Sequence, residues 1–140
     1  MENSIRTNGI EHIGMLVQDT EALAAWYCNL FGASEVSRSK DDMPIIFLSF
    51  GYGALIELVP TSDNVIEEVR GHIHISFSVD DIAAAAEVLS RKGTALDRPI
   101  FEAYDGSKVA FFRDPEGNLV QLVERVAGSS IHAKVFEREK

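Results

Sequence analysis

Apolar residues recur along this chain in two alternating rhythms. From His12 to Val17 and from Ile73 to Val79 they fall on every second position, the period of a strand covered on one side. Ile13, Met15 and Val17 share one face of the first segment, and Ile73, Ile75, Phe77 and Val79 share one face of the second. Behind each segment the spacing changes to that of a helix. Leu23, Trp26, Tyr27, Leu30 and Phe31 stand at i, i+3, i+4, i+7 and i+8, with Asp19 or Thr20 as N-cap and Gly32 as stop. Ile82, Ala85, Ala86 and Leu89 repeat the pattern after Asp80 and Asp81 and stop at Gly93, behind the cations Arg91 and Lys92 that a helix C-terminus favours. Strand-like runs follow each helix. They are "SEVSR", "PIIFLSF" and "ALIELV" in the first half, then a weak run near "RPIFEA", "SKVAFFR" and "NLVQLVE" in the second.

Both halves therefore read strand, helix, strand, strand, strand, and the match extends to single residues. "HIGMLVQD" begins at His12 and "HISFSVDD" at His74, 62 positions on (74 − 12). "LIELV" and "LVQLV" put Glu57 and Gln121 at the same place in the last strand, 64 positions apart (121 − 57). The predicted organisation is α+β: a first βαβββ module over 9–60, a polar linker over 61–71, a second module over 72–127 and a tail over 128–140. The tail carries Ile131, Val135 and Phe136, which suit packing on the body or on a partner subunit.

Strand alternation then sorts the polar residues. The face opposite the helices carries His12, Gly14 and Leu16 on the first strand and His74, Ser76 and Ser78 on the fifth. Ile56 and Leu58 oppose Glu57, and Val120 and Leu122 oppose Gln121. His12, Glu57, His74 and Gln121 thus stand at equivalent positions on faces turned away from the helices, with small Gly14 and Ser76 beside them. A lone strand histidine or glutamate is ordinarily a hydrogen-bonded or solvated residue. Two imidazoles, a carboxylate and a carboxamide lining one cavity would be costly to desolvate, and a divalent cation offsets that cost. His72 shares the face of His74, and we assign it to the rim or to substrate contact.

Composition narrows the classes. Thirteen basic against 22 acidic residues give a net charge of −9, which excludes an electrostatic nucleic-acid footprint and tolerates a cationic ligand or a metal ion. No apolar run approaches the ~18 residues needed to span a bilayer, and "MENSIRTNG" lacks the apolar stretch of a secretory signal. The single cysteine, Cys28, reads as a packing residue and fits a reducing, cytoplasmic location.

"GIEHIGMLVQD", "WYCNLFGA", "GHIHISFSVDD" and "FFRDPEGNLVQLVE", in that order, resemble the vicinal oxygen chelate superfamily over about Gly9 to Arg125. That superfamily includes glyoxalase I, methylmalonyl-CoA epimerase, extradiol dioxygenases, fosfomycin-resistance transferases and bleomycin-resistance proteins. The resemblance implies curled mixed sheets forming a cupped site, often in a homodimer. It also implies a divalent ion (Ni, Zn, Co, Mn or Fe) held by His12, Glu57, His74 and Gln121. The implied activity is that of a metal-dependent glyoxalase-type lyase or isomerase, in which the ion chelates vicinal substrate oxygens and stabilises an enediolate-like intermediate. Glu57 and Gln121 occupy the catalytic positions. Gln121 departs from the glutamate usual there: a carboxamide can ligate through its carbonyl oxygen but cannot take a proton near neutral pH. Glu57 or a metal-bound hydroxide is then the base. The alternatives are a bleomycin-resistance-type binder without turnover, which the acidic charge suits, and a dioxygenase or epimerase of the same superfamily.

Overall fold

The computed structural model describes residues 6, 10, 12–62, 74–103 and 105–128, so His72, most of the linker and the apolar residues of the tail lie outside the described residues. The chain divides into two compact units, Met1–Val69 and Arg70–Lys140. The first contains β1 (His12–Val17), α1 (Thr20–Phe31), β2 (Ser34–Arg38), β3 (Ile46–Ser49) and β4 (Leu55–Pro60). The second contains β5 (His74–Ser78), α2 (Ile82–Arg91), β6 (Phe101–Glu102), β7 (Lys108–Arg113) and β8 (Leu119–Glu124). Each builds a four-stranded sheet, ordered β1-β4-β3-β2 and β5-β8-β7-β6. The first strand runs parallel to the last and the remaining pairs are antiparallel. A parallel pair needs a long connection. A helix and a hairpin supply it in each unit, so the last strand inserts beside the first. The α+β reading with two mixed βαβββ sheets is the observed architecture.

The helix limits follow from their caps. The Asp19 carboxylate accepts from the Ala22 N–H at 2.9 Å, and that of Asp81 accepts from Ala84 at 3.1 Å. Thr20 is not the cap: its buried hydroxyl donates to the Pro44 carbonyl instead. Gly32 closes α1 at φ 68°, a left-handed conformation that costs glycine little. α1 packs on β2, β3 and β4, burying Leu23, Ala24 and Tyr27 over Ile46, Leu48, Ile56 and Leu58. α2 packs on β7 and β8, burying Ile82 and Leu89 over Ala110, Phe112, Val120 and Leu122.

Two expectations need correction. Ile13 lies on the helix face of β1 yet stays 39% exposed, while Val17 on the same face is fully buried. β1 is an edge strand, and α1 packs over the other three. The run near "RPIFEA" is a strand only at Phe101–Glu102. Pro99 has no N–H to give a ladder. Just upstream, the chain is tied to β7 by a Leu96–Phe112 bridge and by the Asp97 N–H, which donates to the Phe111 carbonyl at 2.8 Å.

Two acids hold the turns of the second unit. Asp105 accepts from the Ser107 N–H and pairs with Arg125 at 3.2 Å; the Ser107 N–H first, and Arg125 as well, keep its carboxyl below the usual range. Asp114, 4% exposed, accepts from the backbone N–H groups of Glu116 and Asn118 and from the Asn118 carboxamide. That turn sets the β7–β8 register and with it the placement of Gln121. Asp114→Ala would strand these donors, and we expect it to cost about 2–3 kcal/mol. The measurement is a lower urea midpoint with an unchanged m-value.

Candidate functional site

β1 and β4 bring His12 and Glu57 together. Gly14 pairs with Glu57 and His12 with Leu55, so His12 and Glu57 are diagonal neighbours on one face. The His12 Nε2 lies 3.5 Å from the Glu57 Oε1, with the side chains 38% and 22% exposed. Gly14 lies beside this pair: a Cβ there would stand 3.5 Å from the same carboxylate oxygen, in ordinary van der Waals contact. The ring of Phe47, whose residue pairs with Glu57 from β3, meets the His12 imidazole edge-on at 5.5 Å and 80°.

β5 and β8 repeat the arrangement. Ser76 pairs with Gln121 and His74 with Leu119, the same diagonal relation as in the first unit. Phe111 pairs with Gln121 from β7 and meets His74 edge-on at 5.8 Å and 86°. The Gln121 side chain is half-buried and His74 is exposed. Glu124 points the other way: its carboxylate accepts from the Ile82 N–H at 2.9 Å, at the start of α2. It therefore cannot replace Gln121.

Of the four residues expected from the sequence, each unit by itself brings together one pair. Among the described residues, neither unit gathers a group of three His, Cys, Asp or Glu that could hold a metal ion. The donors of each pair, an imidazole nitrogen with a carboxylate oxygen in the first unit and with a carboxamide oxygen in the second, are of the types that Zn, Ni, Co, Mn or Fe accept. The 3.5 Å between Nε2 and Oε1 is longer than an optimal charge-assisted hydrogen bond. It is close to the ~3.4 Å that separates two donors each ~2.1 Å from one tetrahedral ion.

Sequence reasoning missed the aromatic partners. Phe47 and Phe111 are 64 positions apart (111 − 47), the interval that separates Glu57 from Gln121, so extending the repeat one strand back would have found them. It also missed the continuation of that row. Phe101 stacks on Phe111 with centroids 6.0 Å apart and planes at 25°, and the Arg98 guanidinium carbon stands 3.9 Å over the Phe101 ring.

The chain is similar to known proteins over most of its length. The chain is 31% identical over 123 residues to the lactoylglutathione lyase of Salmonella typhi, covering 81% of this chain and 90% of that protein. It is 30% identical over 123 residues to the uncharacterised protein YaeR of Escherichia coli K12, covering 83% and 95%. The fold superimposes with a TM-score of 0.69 on a mutant of the genomically encoded fosfomycin resistance protein FosX of Listeria monocytogenes, at 21% identity over 87% of this chain and 94% of that one. That protein was crystallised with Mn(II) and 1S,2S-dihydroxypropylphosphonic acid. Residues 9–122 match the sequence model of one family, and the chain belongs to it: the Glyoxalase/Bleomycin resistance protein/Dioxygenase superfamily.

Proposed function

We propose that this chain is a metal-dependent glyoxalase-type enzyme, a lyase or isomerase acting on a small molecule with two adjacent oxygens. His12, Glu57, His74 and Gln121 together would hold one divalent ion (Ni, Zn, Co, Mn or Fe). The observation that carries the reading is the same diagonal His–Glu/Gln register in both sheets, with the His12 Nε2 3.5 Å from the Glu57 Oε1. The similarity to the Salmonella lyase and the Mn(II) held by FosX support it. Bound there, the ion supplies Lewis acidity toward the two substrate oxygens.

The chain's own residues divide the remaining work. Phe47 and Phe111 restrict the two imidazole planes and present apolar surface beside them. Gln121 contributes a carbonyl oxygen and no proton acceptor. Glu57 is then the one carboxylate of the set, and the proton removed next to a substrate carbonyl passes to it. With two pairs to bring together and an exposed edge at Ile13, we assign the working form to a cytoplasmic homodimer. Elemental analysis of protein purified without an affinity tag tests the reading. We expect one equivalent of a transition-metal dication per set of four residues. Untagged protein that contains no such metal, and takes none up from solution, would overturn it in favour of ligand binding without turnover.

A further inference from the structure

The row that ends at Arg98 lies on the same sheet face as His74 and Gln121. Phe101 pairs with Val109, Phe111 is two residues beyond Val109 on β7, and Phe111 pairs with Gln121. Arg98, Phe101, Phe111 and His74 therefore touch in sequence. The guanidinium is held from two directions. Its central carbon stands 3.9 Å over the Phe101 ring, within cation–π range, although Arg98 is an exposed residue. Its backbone is fixed by Asp97, whose N–H donates to Phe111 and whose carboxylate binds Arg113 at 3.1 Å, and by Pro99 on its other side.

Three other arginines have acidic partners, while Arg91 at the end of α2 has none among the described residues. Arg38 binds Glu21 and Glu35, Arg113 binds Asp97, and Arg125 binds Asp105. Arg98 has none among the described residues, although acids outnumber bases in the chain by 22 to 13. The side chains of Gln121 and Ser76, on the same face, also have no hydrogen-bond partner among the described residues. A guanidinium that lies over a ring with no acid beside it keeps N–H groups for a ligand, and its planar fork matches an oxyanion.

We infer that Arg98 is a specificity residue that binds an oxyanion, a carboxylate or phosph(on)ate, carried by the substrate at the end remote from its reacting oxygens. This rests on the functional reading above only in calling that anion part of a substrate; the anion site itself needs no metal. The substrate class is then an anionic small molecule, and Arg98 acts on KM rather than on kcat.

Two arms test it. In the first, metal-free full-length protein is titrated at low salt with sodium acetate and with methylphosphonate, following the arginine Nε–Hε resonances by NMR. The Arg98 resonance should shift saturably with at least one of them, and the anion that binds more tightly identifies the substrate's charged group. Arg98→Met keeps a long side chain over Phe101 without the charge; followed through the backbone amide shifts of Asp97 and Phe101, which both forms retain, it should weaken anion binding at least 10-fold with thermal stability unchanged. Arg98→Lys should fall between the two. The absence of a saturable shift with either anion overturns the inference, as does Arg98→Met binding like wild type. In the second arm, transition-metal affinity is measured for Arg98→Met and for His12→Ala. A loss in His12→Ala alone is expected. An unchanged affinity in His12→Ala would count against the metal reading while leaving the anion site intact, and a loss in Arg98→Met would overturn its assignment as a remote anion holder.

Discussion

His12→Ala and His74→Ala are each expected to weaken transition-metal binding by about 100-fold or more, the largest effect of any single change in the proposed site. Outer partners of a ligand already change metal affinity by about 10–100-fold, and a lost ligand should cost at least as much. The imidazoles are also poorly replaced by water. The Phe47 and Phe111 rings, edge-on with centroids 5.5 and 5.8 Å from those of the imidazoles, restrict the histidine planes before any ion arrives, so little order would have to be gained on binding. Neither substitution removes core packing, since His12 is 38% exposed and His74 is exposed as well. The metal-free variants should therefore unfold at nearly the wild-type temperature. Linkage provides the second readout. An ion at 100 times its Kd stabilises the folded chain by about 2.7 kcal/mol. Adding Zn or Ni should raise the wild-type midpoint and leave those of the variants almost unmoved. Equal midpoint shifts in wild type and the His12→Ala, His74→Ala double variant would remove the site from the protein.

The fold was legible in the sequence where one local rule decided each feature. Asp19, Gly32 and Asp81 sit where capping chemistry places them, and β4 and β8 alternate because a helix covers one of their faces. The equal diagonal pairing of His12 with Glu57 and of His74 with Gln121 follows the repeat of strand positions, even though the connection is two residues longer in the second module (121 − 74 = 47 against 57 − 12 = 45). What escaped depends on neighbours rather than on periodicity. The exposure of Ile13 reflects which strands α1 reaches, and a period of two cannot say that. The division of Asp19 and Thr20 into cap and buried donor required knowing that Pro44 lies beside the Thr20 hydroxyl. Arg98 is the clearest case. In sequence it is one more charge in a polar stretch, and only its stacking on Phe101, together with the lack of an acid beside it among the described residues, sets it apart from Arg113 and Arg125.

Gln121→Glu should tighten metal binding about 10-fold, near 1.4 kcal/mol. The position is half-buried, next to Ser76 on β5 and Phe111 on β7, so a carboxylate there is partly desolvated and gains more from a dication than it would in water. The same desolvation acts against the metal-free variant. Without an ion the new carboxyl is pushed above its ordinary pKa, because burial disfavours its charged form. A raised folded-state pKa withdraws stability as the pH rises through the ordinary carboxylate range, about 4, so the apo variant should be less stable than wild type at pH 7 and close to it near pH 3. Added metal should reverse the deficit at pH 7. Activity then separates two histories of the site. If Gln121 marks an enzyme that has lost its second carboxylate, the variant regains a proton acceptor and should act faster on the hemithioacetal of methylglyoxal with glutathione. If the carboxamide instead keeps the bound ion more electrophilic for a different substrate, the variant should bind metal more tightly and give no gain in that assay. Both outcomes require tighter metal binding. An affinity equal to wild type would mean that the Gln121 side chain does not reach the ion, and the assignment of β8 to the metal set would fail.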